Sequence, residues 1–166
     1  MVNMGQNSDW IVALQSLGWD AAVKICIAAV LGAIIGLERV WKGHPAGLRT
    51  NLLIAISSCT FTIISIEGSP LQGSAQDTAR VAAQIVTGVG FLGAGAVLRS
   101  EGHIRGLTTA ASIWLVAALG MAVGTGLYFL AIFATLLSAA LLILLRPVSR
   151  RLELQADEQL EEDSDV

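Results

Sequence analysis

The sequence is poor in charge: only 14% of its 166 residues are Asp, Glu, Lys or Arg, against about a quarter in soluble domains. With 54% apolar residues and a mean hydropathy of +0.69, that shortage excludes an ordinary water-soluble domain. Cysteine is nearly absent, and Cys26 and Cys59 fall in apolar stretches without a CxxC pair or a histidine at ligand spacing. Neither a disulfide framework nor a zinc site is indicated. No basic run precedes the first hydrophobic stretch, so no cleavable signal peptide is expected and the first span serves as its own insertion signal. A catalytic set is missing as well. His44 and His103 both lie in loops, and neither comes with a nucleophile. No cofactor or bound metal is therefore expected, and the chain reads as non-enzymatic.

The charges that are present are clustered. Of ten basic residues only Lys24 and Arg80 stand apart from three groups separated by long apolar runs. An acidic tail (Glu153, Asp157, Glu158, Glu161, Glu162, Asp163 and Asp165) reverses the overall sign, since without it the chain holds ten basic against six acidic residues. Such a tail reads as solvated and disordered.

A helix needs about 20 residues to cross roughly 30 Å of hydrocarbon, and this predicts five spans: Ala21 to Leu37, Leu48 to Ile66, Ala79 to Leu98, Leu107 to Val123 and Leu127 to Leu145. The fold class is thus an all-α integral membrane protein, a five-transmembrane-helix bundle. Residues 1–19 form an N-terminal segment, 20–146 the transmembrane domain and 147–166 the cytoplasmic tail. In the first segment Ser8 caps a short helix with Trp10, Ile11, Leu14 and Leu17 on one face, ending at Gly18 and reading as an interfacial helix on the outer leaflet. Arg39, Lys42 and Arg49 occupy the first loop, Arg99 and Arg105 the third, and Arg146, Arg150 and Arg151 open the tail, while loops two and four have no Lys or Arg. The positive-inside rule then places the N-terminus outside and the C-terminus in the cytoplasm.

Gly88-Val-Gly90-Phe-Leu-Gly93 matches G-x-G-x-x-G, but it lies inside an apolar span with no strand before it and no acid at the right distance, so a dinucleotide fingerprint is rejected. Small residues in a bilayer allow close helix approach; Gly32/Gly36, Gly88/Gly90/Gly93/Gly95 and Gly120/Gly124 are read as packing faces. Trp114, about 10 Å down the fourth span, is expected to pack internally. The fifth span, nearly devoid of polar residues, is the best candidate for lipid exposure. Along the third span Asp77, Arg80, Gln84, Thr87 and Gly88 share one face, a polar stripe expected to look into the bundle. Asp20 and Lys24 make an i, i+4 pair at the same outer end. Two readings stand: the Asp20/Lys24 and Asp77/Arg80 pairs meet in one outward pocket, or Asp77 caps its helix and Lys24 snorkels. At the inner surface Arg49 opposes the positive end of its helix dipole, and Glu38 is the expected partner. Arg105-Gly-Leu-Thr108-Thr109 enters the fourth span much as Arg49-Thr50 enters the second.

Gly36-Leu-Glu38-Arg39, Pro45-Ala-Gly47-Leu-Arg49-Thr50, Asp77-x2-Arg80, Gly88-Val-Gly90-Phe-Leu-Gly93-Ala-Gly95 and Arg105-Gly-Leu-Thr108-Thr109-Ala-Ala-Ser-Ile-Trp114, in this order, resemble the motifs of the MgtC/SapB family over roughly Asp20 to Tyr128. The resemblance implies a protein of the bacterial inner membrane tied to growth at low magnesium, survival inside host cells and restraint of the F-type ATP synthase. It departs from longer members, which carry a soluble ACT-like domain after the last span where about twenty polar residues stand here, and from the common GLERE pattern, since Val40 replaces the second acid. The reading is a regulator acting by helix contact with a larger membrane complex such as ATP synthase. A small transporter or channel for Mg2+, a proton-linked solute or an anion, with a path along the third helix, is the alternative. An enzyme acting on lipid or isoprenoid substrates is a third, for which no metal or acid-rich motif is present. The bilayer is the expected partner and a homodimer fits the glycine faces; nucleic acid is not expected.

Overall fold

The computed structural model describes residues 6–67, 78–100 and 103–145. Five helices carry the fold: α1 (Gln6–Trp41), α2 (Leu48–Glu67), α3 (Thr78–Gly95), α4 (Leu107–Gly124) and α5 (Tyr128–Leu144). Between α3 and α4 a small antiparallel hairpin, β1 (Leu98–Ser100) and β2 (His103–Arg105), pairs Leu98 with Arg105, Arg99 with Ile104 and Ser100 with His103. The expected five-helix bundle is present, and the hairpin in the third loop is an addition to it.

The helix ends follow from local chemistry. At the end of α1, Gly43 takes φ 69°, its N–H donates to Val40 O (3.0 Å) and the His44 N–H donates to Arg39 O (3.1 Å). The end of α4 repeats this with Gly126 at φ 83°, bonds running from Gly126 to Val123 O and from Leu127 to Ala122 O. Both close the last turn by the Schellman arrangement, in which a left-handed glycine satisfies orphan carbonyls.

One boundary differs from the sequence reading. The separate N-terminal helix ending at Gly18 does not exist as such, because α1 runs unbroken for 36 residues from Gln6. Gly18 costs a helix interior only about 1 kcal/mol relative to alanine, and with no proline nearby nothing stops the turn-by-turn ladder there. Gly18–Trp41, Leu48–Glu67 and Leu107–Gly124 are long and apolar enough to cross a membrane. The apolar α5 has 17 residues, about 26 Å at 1.5 Å each, and α3 is diluted by Arg80 and Gln84.

The centre is the triangle of α1, α2 and α4; α3 leans on α4 and α2, and α5 on α1 and α4. Ala28, Leu31 and Ile35 meet Ala55 and Cys59 of α2 and Val116, Leu119 and Val123 of α4, all buried. Glycine makes the closeness possible. A Cβ on Gly32 would sit 2.7 Å from Ala55 Cβ, and one on Gly120 would run into the Ala55 carbonyl oxygen. Helix α5 by contrast shows apolar side chains outward along its length, with Ala131 and Thr135 its only buried residues among those described.

Candidate functional site

The charged residues gather at the two ends of the membrane-crossing part of α1, Gly18–Trp41. At the inner end Arg39 is only 2% exposed and Glu38 7%, burial that charged side chains tolerate only when paired. Arg39 Nη2 donates to Thr109 Oγ1 of α4 at 3.0 Å, and its Nη1 lies 4.0 Å from Glu38 Oε2. Glu38 forms an ion pair with Lys42, one turn further on, and Lys42 Nζ also donates to Leu142 O of α5 at 3.0 Å. Asn51, fully buried on α2, donates from Nδ2 to Ala46 O (3.0 Å) and Gly47 O (2.8 Å), holding the turn that leads into α2. The α1 end is thereby fastened to α4 and α5, with Asn51 bracing α2 beside it. Within this cluster both Glu38 carboxylate oxygens, Arg39 Nε and Asn51 Oδ1 are buried without a hydrogen-bond partner among the described residues.

At the other end Lys24 lies 2.6 Å from Asp20 and 3.2 Å from Glu67 at the last turn of α2. This pair of contacts ties α1 to α2 where α2 ends. The Asp20/Lys24 spacing places the two together, and the third member among the described residues is Glu67.

Several expectations take a different form. Arg49 is exposed and is not the partner of Glu38; Lys42, in the turn directly after α1, is at i+4 and reaches the carboxylate without crossing the loop. Thr50 and Thr108 are exposed, whereas Thr109 is buried. The polar stripe does not look into the bundle: Arg80, Gln84, Thr87 and Gly88 are exposed, and the packed face of α3 is the opposite one, Ile85, Val89 and Gly93. Apolar side chains outnumber polar ones among the surfaces α3 can bury, and α4 offers it an apolar wall. Thr87 Oγ1 returns its proton to Ala83 O at 3.0 Å. Asp77 lies outside the described residues, so the meeting of two outer pairs falls outside them too. Trp114 is 54% exposed and edges a shallow groove of about 160 Å3 with Val86, Val89 and Met121, so it packs at the surface of the chain and not within it. Arg99 and Arg105 sit on the hairpin backbone, Arg105 in register with Leu98. Gly36, Gly93 and Gly124 pack against Leu48, Ala110 and Thr62, while Gly88, Gly90 and Gly95 face open space.

Lys42, Asn51 and Glu67 escaped the sequence reading as site residues. Lys42 had a signal, its i+4 distance from Glu38, and Asn51 had another, a lone amide inside an apolar span. Glu67 had none, since its partner is 43 residues away. Among the described residues no three His, Cys, Asp or Glu side chains are grouped to hold a metal.

The model of the MgtC family matches residues 25–151, which takes in the Glu38, Arg39, Lys42, Asn51 and Thr109 cluster and Glu67 and begins one residue after Lys24. A protein of Escherichia coli (strain K12) named "Putative magnesium transporter YhiD" is 42% identical over 134 residues, 78% of this chain and 62% of that protein. Protein MgtC of Brucella abortus (strain 2308) is 46% identical over 138 residues, 82% and 56% of the two chains. Protein MgtC of Salmonella typhimurium is 42% identical over 130 residues, 78% and 54%. The chain therefore spans somewhat over half the length of these relatives. No solved structure matches it significantly. With a family match across most of its length and apolar helices able to cross a bilayer, the chain belongs to the MgtC family and is a multi-pass membrane protein.

Proposed function

We propose that the chain is a non-enzymatic regulator of magnesium adaptation in a bacterial inner membrane, acting by helix contact on a larger membrane complex, with the F-type ATP synthase as the candidate. The N-terminus is read as outside and the C-terminus as cytoplasmic, a reading supported by the sequence, in which loops one and three and the start of the tail carry the basic clusters while loops two and four carry no Lys or Arg. Relatives named MgtC and a relative named for magnesium transport support the magnesium connection.

One observation carries the regulatory reading: the charges of α1 are spent as fasteners. Lys24 binds α1 to the end of α2, Arg39 binds it to α4 and Lys42 binds it to α5. Between these ends the helices meet through Ala28, Leu31, Ile35, Ala55, Cys59 and Val116, a close-packed apolar layer that favours a rigid element with working surfaces over a conduit. Two grooves between helices, α2/α3 and α3/α4, have no charged lining residue among the described residues.

A second reading, a transporter of Mg2+ or a proton-linked solute, rests on the buried Glu38 Oε2 and Asn51 Oδ1, acceptors without a hydrogen-bond partner among the described residues and of the kind divalent cations favour. Lys42 already neutralises that carboxylate, which weighs against it. Purified protein in liposomes distinguishes the two: the regulator moves neither Mg2+ nor protons at either sign of membrane potential. Reproducible flux abolished by Glu38→Gln would replace the first reading with the second. Crosslinking in cells tests the regulatory arm directly, since a regulator must be recovered with a membrane partner whose loss removes the low-magnesium phenotype.

A further inference from the structure

At the Trp41 end of the α1, α2, α4 triangle the apolar core gives way to a layer of buried polar side chains: Glu38 and Arg39 of α1, Asn51 of α2, and Thr109 and Ser112 of α4. Folded chains pair the great majority of such groups, and most of this layer is paired. Thr109 Oγ1 accepts from Arg39 Nη2 at 3.0 Å, and the Ser112 hydroxyl donates to Thr109 O at 2.8 Å. Asn51 Nδ2 serves Ala46 O and Gly47 O, and Glu38 Oε1 is held by Lys42. Three atoms are left over. Glu38 Oε2, Asn51 Oδ1 and Arg39 Nε are buried with no hydrogen-bond partner among the described residues, on side chains only 7%, 0% and 2% exposed. Arg39 Nη1 lies 4.0 Å from Glu38 Oε2, and Gly36, a turn earlier on α1, packs on Asn51, whose Cβ would be 3.3 Å from a Cβ placed there. All three belong to one patch of the α1/α2 contact.

Their chemistry selects an occupant. Two acceptors and one donor call for a group that both gives and takes protons. An anion is refused by the two acceptors. A divalent cation is refused by charge, since Arg39 and Lys42 against Glu38 already leave one positive charge in surplus, and further buried charge of the same sign has no counterion there. Water matches: it is neutral, it is small enough for a layer this enclosed, and buried waters make about three hydrogen bonds to polar groups of this kind. Supply is short. Glu38 is one turn from Trp41, where the membrane-crossing stretch ends, about 5 Å along the axis, and Lys42 stands half-buried at the edge of the layer.

We propose that this layer is a hydration site, in which water held by Glu38 Oε2, Asn51 Oδ1 and Arg39 Nε joins α1 to α2, and that it takes no Mg2+. A water-mediated bridge is nearly as favourable as a direct hydrogen bond, so the layer closes the polar accounts of α1 without a metal. The proposal stands on the composition of the layer and not on the regulatory reading above.

X-ray radiolysis of the full chain in nanodiscs, in water enriched with heavy oxygen, tests it, because hydroxyl radicals formed from a bound water label the side chains around it however well these are shielded from bulk solvent. Ile35 and Ile113, one turn from Arg39 and from Thr109 on their helices, are 0% and 4% exposed; Leu119 and Val123, buried in the apolar part of the same triangle at 2% and 0%, are the controls. Label is expected at the two isoleucines at least fivefold faster than at the controls, and at the same rate in saturating Mg2+ as in EDTA. Asn51→Leu, which removes one acceptor and fills its place, should bring the isoleucines down to within about twofold of the controls; the parent chain carries the test by itself if that variant does not fold. Equal labelling of all four side chains in the parent chain, or labelling of Ile35 and Ile113 that saturating Mg2+ abolishes, would overturn the proposal.

Discussion

Thr109→Val removes one oxygen at the point where α1 is fastened to α4. The side chain is buried and its Oγ1 accepts the Arg39 Nη2 proton at 3.0 Å. Valine keeps the shape and takes away the acceptor, so a buried guanidinium loses its one hydrogen bond to another side chain while Arg39 Nε already has no partner. A hydrogen bond to a charged group contributes about 1.5–3 kcal/mol, and a buried donor left unpaired costs as much. The expected loss is therefore about 1.5–3 kcal/mol, roughly 10- to 150-fold in the folding equilibrium. Reversible unfolding in mixed micelles, titrated with a denaturing detergent, measures it. Thr108→Val next door, at an exposed position, should stay within about 0.5 kcal/mol of the parent, and Thr109→Ser should recover most of the loss. In an Arg39→Met background the Thr109→Val step should cost less than about 0.5 kcal/mol, since the group it deprives is gone. Equal costs at 108 and 109, or a full cost that persists without Arg39, would refute the argument that the guanidinium is what Thr109 holds.

Gly120→Ala forces a Cβ into the Ala55 carbonyl oxygen and should destabilise by about 1–3 kcal/mol or more through overpacking, whereas Gly90→Ala, in open space, should gain about 0.5–1 kcal/mol of helix stability; the same micellar titration ranks them. Cys26 is exposed and Cys59 buried, so a maleimide should modify one thiol per chain in mild detergent and two after denaturation, as counted by mass spectrometry. Lys24→Met leaves Asp20 and Glu67 without the cation they share; amide hydrogen exchange in the last turn of α2 should accelerate, and no change there would remove Lys24 from its fastening role.

Local rules carried much of the architecture. Apolar run lengths gave the helices, and the i, i+4 spacing gave Asp20 with Lys24. The features that escaped are those set by distance in space. Arg39 and Arg49 read alike in sequence, yet α1 turns Arg39 toward α4 and the entry to α2 leaves Arg49 exposed. A polar stripe on α3 predicts a sheltered face, but the residues that compose it do not say which side of the helix packs, and Arg80, Gln84, Thr87 and Gly88 are exposed. Glycine patterns announce close packing without naming the partner: two of the three sets are spent internally and α3 keeps most of the third free. The hairpin at Leu98–Arg105 has strands of only three residues, too short for an alternating pattern to show.

Helix α1 also explains why burying so much charge is tolerated. Breaking a buried ion pair by removing one partner costs about 3–5 kcal/mol, although the intact pair gains little over apolar packing. Charges at both ends of the membrane-crossing part of α1 therefore add less to stability than they add to register: a slip of α1 by one residue along α2 and α4 would break the Lys24–Glu67 and Arg39–Thr109 contacts together. The glycine contacts at Gly32 and Gly36 fix the distance between α1 and α2, and the charges fix its height. A helix held in both directions cannot rock to open and close a path without breaking both sets at once. That rigidity, beside the finding that among the described residues no three His, Cys, Asp or Glu side chains are grouped to hold a metal, is what the proposed reading of action by surface contact rests on.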